Sequence, residues 1–280
     1  MEEHTLTQTN PVNTIETKPT KEQVISAFQN DFEQKKKAFP DTTSVAKVPI
    51  AWFGNESAYQ SSKRKILTIA VNPSDVEFVD EETKLPVDPS RFPSDLKLED
   101  SWNTYFEDPE QKRKEDPNPY LNWFKNLEKE LPYFNASYFK KYDKNGSPLN
   151  RAIHIDFESA IATTKKWSAI DPTQQSLISN HDNFKCLFDY LDPDVAILYS
   201  RLPVFDEFVR TVSHGNYIRP TFILKNGKVA EPGKVELKDI NVGIITNDTT
   251  KTNLIWVKNS QSTNRCYGKR VQPYLKDFSK

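Results

Sequence analysis

Three short polar stretches of this 280-residue chain hold the side chains best suited to chemistry. The first is Asn-Pro-Ser-Asp at 72–75, the second contains His154 and Asp156, and the third spans 258–265. An amide such as that of Asn72 can position a water molecule but is a poor base, whereas a carboxylate can also accept the proton that water loses. These residue types therefore indicate a candidate site for a polar ligand.

Each stretch also has a purely structural interpretation. A run such as Asn-Pro-Ser-Asp commonly forms a turn that caps a helix. A strand-end aspartate near a histidine is often a cap beside a hydrogen-bonded core residue. The chemical interpretation is favoured only if the surrounding elements bring the three stretches together.

Apolar runs predict the elements that would do so. Four runs are typical of strands buried on both faces: 66–71, 152–157, 195–199 and 254–257. Helical spacing predicts helices over 21–37, with Thr20 as N-cap, and over 119–131, 175–190 and 203–212. This alternation predicts an α/β protein, a three-layer α/β/α fold with a central, mostly parallel, four-stranded sheet.

The remaining segments fit around that sheet. Residues 1 to about 20 lack periodicity and are predicted to be a disordered tail, and 21–280 a single domain. Prolines and charges near 80–118 indicate an ordered insertion in which Trp102, Tyr105 and Phe106 anchor a short helix. Residues 219–246 are typical of a β-hairpin that turns at 225–228.

The first and third polar stretches follow predicted strands, and the second lies at the end of one. In an open parallel sheet, ligands bind beyond the carboxyl ends of the strands. Within the second stretch, His154 and Asp156 share one strand face because side chains alternate with a period of two. We therefore expect the polar stretches to converge at one edge of the sheet.

Composition excludes several classes of protein. Charges nearly cancel, with 38 Lys and Arg against 39 Asp and Glu, so no overall basicity marks a nucleic-acid binder, although a local basic face is possible. Two cysteines, Cys186 and Cys266, are too few for a disulfide scaffold or a four-cysteine metal site. The sequence shows no Gly-rich nucleotide-binding motif, no apolar run long enough to span a membrane and no N-terminal pattern typical of a signal peptide. We therefore expect a cytoplasmic protein with reduced thiols.

The order of the motifs resembles the uracil-DNA glycosylase superfamily. The strand at 66–71 with the Asn-Pro that follows is similar to that superfamily's first motif, a strand followed by Gly-x-(Asn/Asp)-Pro. The stretch 259–265 resembles the Asn-Pro-Ser-Gly-Leu-Ser-Arg loop of its mismatch-specific branch. Three further segments resemble uncharacterised bacterial members: 91–93, 118–120 and 154–167. The resemblance covers roughly residues 50–275, through short motifs.

The resemblance implies a monomeric DNA glycosylase that needs neither metal nor cofactor. Such an enzyme flips a nucleotide out of DNA and hydrolyses its N-glycosidic bond, which leaves an abasic site. Asn72 would position the water, with Asp75 as a substitute or helper, and Ser74 would contact the DNA.

The position of Asp156 bears on the base that is removed. Uracil-removing relatives usually have an asparagine there, whereas an ionised aspartate accepts from the exocyclic amine of cytosine. The resemblance thus implies a modified cytosine, such as glucosylated hydroxymethylcytosine in phage DNA, as the substrate of an antiviral enzyme. Uracil or a mismatched base in repair is the alternative. His154 would reach the leaving base or a phosphate, and Phe92 would stack on the flipped base.

The third stretch would hold the phosphates around the flipped nucleotide. Thr263 stands where relatives have a leucine wedge, and no proline follows the first asparagine of the loop, so the mode of base extrusion stays open. The predicted DNA contacts here are Lys258, Asn259, Ser260, Ser262 and Arg265. Basic clusters at 63–65, 112–114, 140–141, 165–166 and 269–270 would add to the DNA face, although each alone is typical of solvated surface.

Two other functional classes stay open. Pro193-Asp194 with Glu-Leu-Lys at 236–238 resembles a PD-(D/E)xK nuclease, which would depend on magnesium. A noncatalytic DNA-binding protein on the same scaffold is the other, because fold does not determine function.

Overall fold

A computed structural model describes residues 18–80, 83, 92, 97–106, 121–213, 222–223, 229–230, 240–246 and 251–258. For 121–122, 222–223, 229–230, 240–246 and 258 it describes the backbone alone. The predicted tail falls outside these residues up to position 17, as do most of the predicted insertion and the stretch 259–265.

A six-stranded sheet lies at the centre of the described structure. Its order is β2-β3-β1-β4-β8-β7, and neighbouring strands are parallel except for β7, which runs antiparallel to β8. These strands are β1 Ile66–Ala70, β2 Ala136–Ser137, β3 Asn150–Asp156, β4 Val195–Ser200, β7 Ile240–Thr246 and β8 Lys251–Lys258. A separate two-stranded antiparallel sheet pairs β5 Phe222–Ile223 with β6 Val229–Ala230.

The four predicted strands are confirmed as the adjacent parallel strands β3, β1, β4 and β8. The prediction of a four-stranded sheet is wrong, because β2 and β7 extend it on either side. Two-residue β2 is too short to leave a pattern, and β7 pairs with the strand that follows it along the chain. The predicted hairpin is confirmed only for β5 and β6, and its turn lies outside the described residues.

Eight helices occur in the described part of the chain. They are α1 Lys21–Ala38, α2 Pro40–Thr43, α3 Glu56–Gln60, α4 Leu98–Asn103, α5 Leu121–Glu128, α6 Pro172–Ile178, α7 His181–Leu191 and α8 Leu202–Val212. Short 3-10 helices lie at Asp75–Glu77, Leu131–Phe134 and Trp167–Ala169. Thr20 caps α1 as predicted, since its hydroxyl accepts from the Gln23 N–H in a reciprocal capping box.

The single helix predicted over 175–190 is wrong, because the chain forms α6 and α7 instead. Ser179 has extended backbone, and the Asn180 side chain accepts from the Asn183 N–H to start a new helix. The break places the start of α7 at the carboxyl edge of the sheet, beside the end of β3.

Helices pack on both faces of the sheet. On one face Phe157 contacts Phe184 of α7 and Phe208 of α8, with ring centroids 4.9 and 5.6 Å apart. On the other face His154 lies 5.3 Å from Phe124 of α5. Every residue of β4 is buried, as expected for a strand covered on both faces. This arrangement fits the predicted three-layer α/β/α fold.

The insertion contributes to the core where it is described. Trp102, Tyr105 and Phe106 are all buried, and Trp102 lies in α4, which confirms the short helix predicted there. Cys186 is a half-buried free thiol whose pKa is raised, mainly by burial. Among the described residues, no helix combines the length and apolarity needed to cross a membrane.

Candidate functional site

The carboxyl edge of the parallel strands carries most of the predicted site residues. Strands β1 and β4 are neighbours, although the chain visits β3 on the far side of β1 between them. At such a switch point the loops after the two strands diverge and leave a crevice in which ligands bind. Asn72 lies in the loop after β1, and β4 ends nearby at Ser200. Asn72 is therefore at the edge of this crevice.

The side-chain amide of Asn72 is held in one orientation. Its Nδ2 donates to the Pro73 carbonyl oxygen at 2.8 Å and to Thr163 Oγ1 at 3.2 Å. Both amide hydrogens are thereby used. Its Oδ1 accepts no hydrogen bond from any described residue, although the side chain is only half-buried. The acceptor atom is thus oriented by the protein and left for a ligand or water.

Thr163 supplies this orientation from a buried position. It is 1 % exposed, and its hydroxyl donates to the Lys165 carbonyl oxygen at 2.7 Å, so its oxygen is left to accept from Asn72. Ser74 and Thr163 also form a parallel β-bridge. The loop after β1 is therefore fixed to the segment after β3 by backbone and side chain together.

Ser74 and Asp75 lie next to Asn72 on the same loop. Ser74 Oγ donates to Asp75 Oδ1 at 2.9 Å, and the Asp75 carbonyl oxygen accepts from the N–H groups of Phe78 and Val79. The run is thus also a turn that opens a short helix, as its structural interpretation predicts. Both side chains are half-buried at the carboxyl edge.

Asp156 and His154 lie together on β3, as the alternation of strand side chains predicts. Asp156 ends the strand, is 7 % exposed, and pairs in register with Ala70, two residues before Asn72. His154 Nε2 lies 3.7 Å from Asp156 Oδ1. The structure therefore brings the first and second polar stretches to adjacent strand ends.

A buried polar chain leads to this pair from inside the protein. Tyr138 Oη lies 2.6 Å from Thr68 Oγ1, which lies 2.8 Å from His154 Nδ1. Burial raises the pKa of Tyr138 well above its usual value, so the phenol keeps its proton and can donate to Thr68. When the Thr68 hydroxyl donates onward to Nδ1, the imidazole proton lies on Nε2 and faces Asp156.

Aromatic rings surround the imidazole on its other sides. The ring centroids of Phe53, Trp123 and Phe124 lie 5.6, 4.9 and 5.3 Å from that of His154. Trp123 is only half-buried and also approaches Tyr199 of β4, at 6.4 Å. His154 itself is 2 % exposed, so its ring nitrogens face protein groups rather than solvent.

Phe92 lies one ring further from the site. It is 3 % exposed and packs nearly parallel to Phe78, at 5.8 Å, and against Tyr105, at 5.7 Å. Its contact toward His154 is through Phe53, 6.4 Å away. The structure thus places Phe92 in an aromatic cluster that supports the imidazole, and stacking on a base stays a prediction.

The third polar stretch is described only at its start. Lys258 ends β8 and pairs in register with Ser200, so its backbone reaches the same carboxyl edge. The other predicted contacts of this loop, Asn259, Ser260, Ser262 and Arg265, lie outside the described residues, as does Thr263.

Sequence reasoning missed a second polar cluster at this edge. The Glu158 N–H donates to the Val71 carbonyl oxygen at 2.8 Å, which places Glu158 beside the loop after β1. Its Oε2 accepts from Ser179 Oγ at 2.9 Å and lies 3.0 Å from His181 Nε2. His181 Nδ1 lies 3.6 Å from Glu207 Oε1. These contacts connect the start of α7 and the middle of α8 to the end of β3. The single long helix predicted over 175–190 gave no indication of them.

The nuclease pattern is not assembled by the described residues. Asp194 precedes β4 and so lies at the opposite, amino-terminal edge, where its Oδ2 accepts from the Lys65 N–H at 2.8 Å. The partner triplet at 236–238 lies outside the described residues. No described group of three or more His, Cys, Asp or Glu side chains is arranged to hold a metal ion.

Comparison with known proteins assigns no family to the chain, since no protein-family model and no curated protein matches it.

Proposed function

We propose that the protein is a DNA glycosylase that flips a nucleotide out of DNA and hydrolyses its N-glycosidic bond. The observation that carries the proposal is the amide of Asn72, which is locked by Thr163 with its oxygen unpaired, at the edge of the switch-point crevice. Asp156 ends the adjacent strand, in register with Ala70, two residues before Asn72. The resemblance of the surrounding motifs to the uracil-DNA glycosylase superfamily supports the same activity.

Asn72 has the geometry to place the attacking water. Cleavage passes through an oxocarbenium-like sugar, and the bond electrons leave with the base while water oxygen bonds to the anomeric carbon. A fixed amide oxygen accepts one water hydrogen and so orients a water lone pair toward that carbon. The water must also lose a proton, and the Asp75 carboxylate, three residues along the same loop, is the proposed acceptor.

Asp156 is the proposed reader of the base. A carboxylate at a strand end can accept from the exocyclic amine of cytosine, which uracil lacks. His154 Nε2 lies 3.7 Å from one carboxylate oxygen of Asp156, and His154 is proposed as a positioning residue for that carboxylate. We therefore propose a modified cytosine as substrate, with glucosylated hydroxymethylcytosine of phage DNA as the leading case and antiviral defence as the role.

A base-release assay tests the proposal. The protein is incubated in EDTA with matched duplexes that carry uracil, a thymine mismatch, cytosine, hydroxymethylcytosine or its glucosylated form, and alkali then cuts any abasic sites. We expect alkali-dependent breaks from a modified cytosine. Breaks from uracil or the mismatch alone would instead indicate a repair glycosylase.

Two variants link the activity to the site. Asn72→Ala should abolish release, whereas Asn145→Ala, in an exposed turn before β3, should leave it unchanged. Asp156→Asn replaces an acceptor with a group that also donates, so it should shift preference toward uracil. Equal release by Asn72→Ala and the Asn145→Ala control, together with an unchanged base preference in Asp156→Asn, would refute the site. DNA binding without base release would favour a noncatalytic protein. Direct cleavage that needs magnesium would favour a nuclease.

A further inference from the structure

Residues 163–167 form a segment at the carboxyl edge of the sheet that carries two exposed lysines. Thr163 contacts Asn72 directly, and the next residues along the edge include Lys165 and Lys166, whose side chains are both exposed. The carbonyl oxygen of Lys165 is the group that accepts from the Thr163 hydroxyl. Two cationic side chains therefore follow closely along the chain after Thr163, the residue that orients the Asn72 amide.

The backbone of this segment is held on both sides of the lysine pair. On one side the Thr164 N–H donates to the Thr42 carbonyl oxygen at 2.8 Å. On the other, the Ala169 N–H donates to the Lys166 carbonyl oxygen at 2.8 Å, and Gln175 Nε2 donates to the Trp167 carbonyl oxygen at 2.6 Å. The segment is thus preorganised, which reduces the entropy lost when its side chains bind a ligand.

The two ammonium groups are also electrostatically available. Lys65, Lys141 and Lys185 each form an ion pair with a carboxylate. No carboxylate of the described residues lies within 4.0 Å of Lys165 or Lys166. Because the whole chain has a formal net charge of −1, any attraction to DNA must come from local surfaces such as this one.

We propose that Lys165 and Lys166 contact the phosphates of the DNA backbone next to the flipped nucleotide. The proposal rests on the proposed function for the identity of the partner. Phosphate contacts position a duplex without reading its sequence, so this surface sets register and affinity while Asp156 sets base preference. Each contact releases counterions and steepens the salt dependence of binding.

Salt-dependent binding by the full-length protein tests the surface. The Asn72→Ala chain keeps the DNA intact, and its Kd for a modified-cytosine duplex is measured by fluorescence anisotropy over a series of salt concentrations. Adding K165A and K166A together should weaken binding and reduce the slope of log Kd against log salt by about 2. When the same two substitutions are made in the otherwise wild-type chain, the rate of base release from the bound complex should change less than Kd does.

The matched control removes two exposed lysines from the opposite edge. Lys144 precedes β3 and Lys251 is the first residue of β8, so both lie at the amino-terminal edge of the sheet. K144A with K251A should leave the slope unchanged. An unchanged slope in the 165/166 variant, or an equal loss in the control, would overturn the proposal. If the slope falls as expected while the wild-type protein releases no base, the phosphate surface stands and the proposed catalysis fails.

Discussion

At the scale of single residues, the proposed catalysis depends on the orientation of one amide. Thr163→Val removes the hydroxyl that accepts from Asn72 Nδ2 and keeps the shape of the side chain. The amide can then rotate, so we expect kcat for base release to fall at least about tenfold, equivalent to about 1.4 kcal/mol of transition-state stabilisation. KM should change less than kcat, because the side chains of Lys165 and Lys166 are kept even though the Lys165 carbonyl oxygen loses its hydrogen bond from Thr163. The measurement is single-turnover and steady-state base release.

Matched threonine variants separate positioning from simple loss of stability. Thr163→Ser keeps the hydroxyl and should restore most of kcat. Thr43→Val removes another buried hydroxyl, one that donates to the Phe39 carbonyl oxygen at 2.8 Å, and should lower stability without lowering kcat. Equal kcat in Thr163→Val and wild type would show that Asn72 does not need this contact.

The sequence predicts some of these residue-level features and not others. Asn72 and Asp156 could be found because each lies at the end of an apolar run, and His154 because it shares the strand face of Asp156. Thr163 could not be found, since its partner is 91 positions away and only the folded chain joins them. Glu158 and His181 could not be paired from the sequence either. They meet because the break between α6 and α7 places the start of α7 beside the end of β3.

At the scale of elements, the segment before α3 packs against β3 and supports His154. Phe53 forms an antiparallel bridge with His154, and Gly54 follows with φ of +117°, a conformation that other residues rarely adopt. A Cβ at Gly54 would lie 3.1 Å from Phe106 and 3.3 Å from Ile153. Gly54 is therefore required both by its backbone conformation and by close packing.

Gly54→Ala should destabilise the protein more than Gly146→Ala. Both glycines have positive φ, which costs roughly 1–2 kcal/mol with a side chain, but Gly146 has no atom within 4 Å of an added Cβ. The additional crowding at Gly54 should lower the free energy of unfolding by roughly 1–3 kcal/mol more, as in other overpacked cores. Urea unfolding measures both variants. Equal losses would show that the core behind β3 yields to the extra carbon.

Element prediction succeeded where a pattern is long and local. The four parallel strands and α1 are defined by continuous apolar runs or by helical spacing with a cap, and these signals survive in the fold. Two-residue β2 has no periodicity to detect, and β7 joins the main sheet through pairing with β8. The break between α6 and α7 depends on Asn180, whose side chain caps α7. Asparagine also occurs inside helices, so its presence alone does not predict a helix start.

At the scale of the whole molecule, buried tyrosines should limit stability at alkaline pH. Burial raises the pKa of Tyr59 and Tyr138 well above the usual value, and nearby carboxylates, first that of Asp194, add to the effect at Tyr59. The Tyr59 hydroxyl also has no hydrogen-bond partner among the described residues. Both phenols therefore stay protonated in the folded protein at a pH where an exposed tyrosine ionises.

The sign of the pH dependence follows from proton counting. Below about pH 10 the folded and unfolded chains both hold these protons, and the tyrosines contribute no pH dependence. Above it the unfolded chain binds fewer protons, so the free energy of unfolding falls as pH rises, by up to about 1.4 kcal/mol per pH unit for each buried tyrosine.

Urea unfolding between about pH 8 and about pH 11 should show this fall. Tyr59→Phe should reduce the slope at little cost in hydrogen bonding, since it removes one of the phenols with a raised pKa and leaves those of Tyr138 and Tyr190. Tyr142→Phe, whose side chain is 57 % exposed, should leave the slope unchanged. An identical slope in wild type and Tyr59→Phe would mean that Tyr59 reaches solvent and ionises before the chain unfolds.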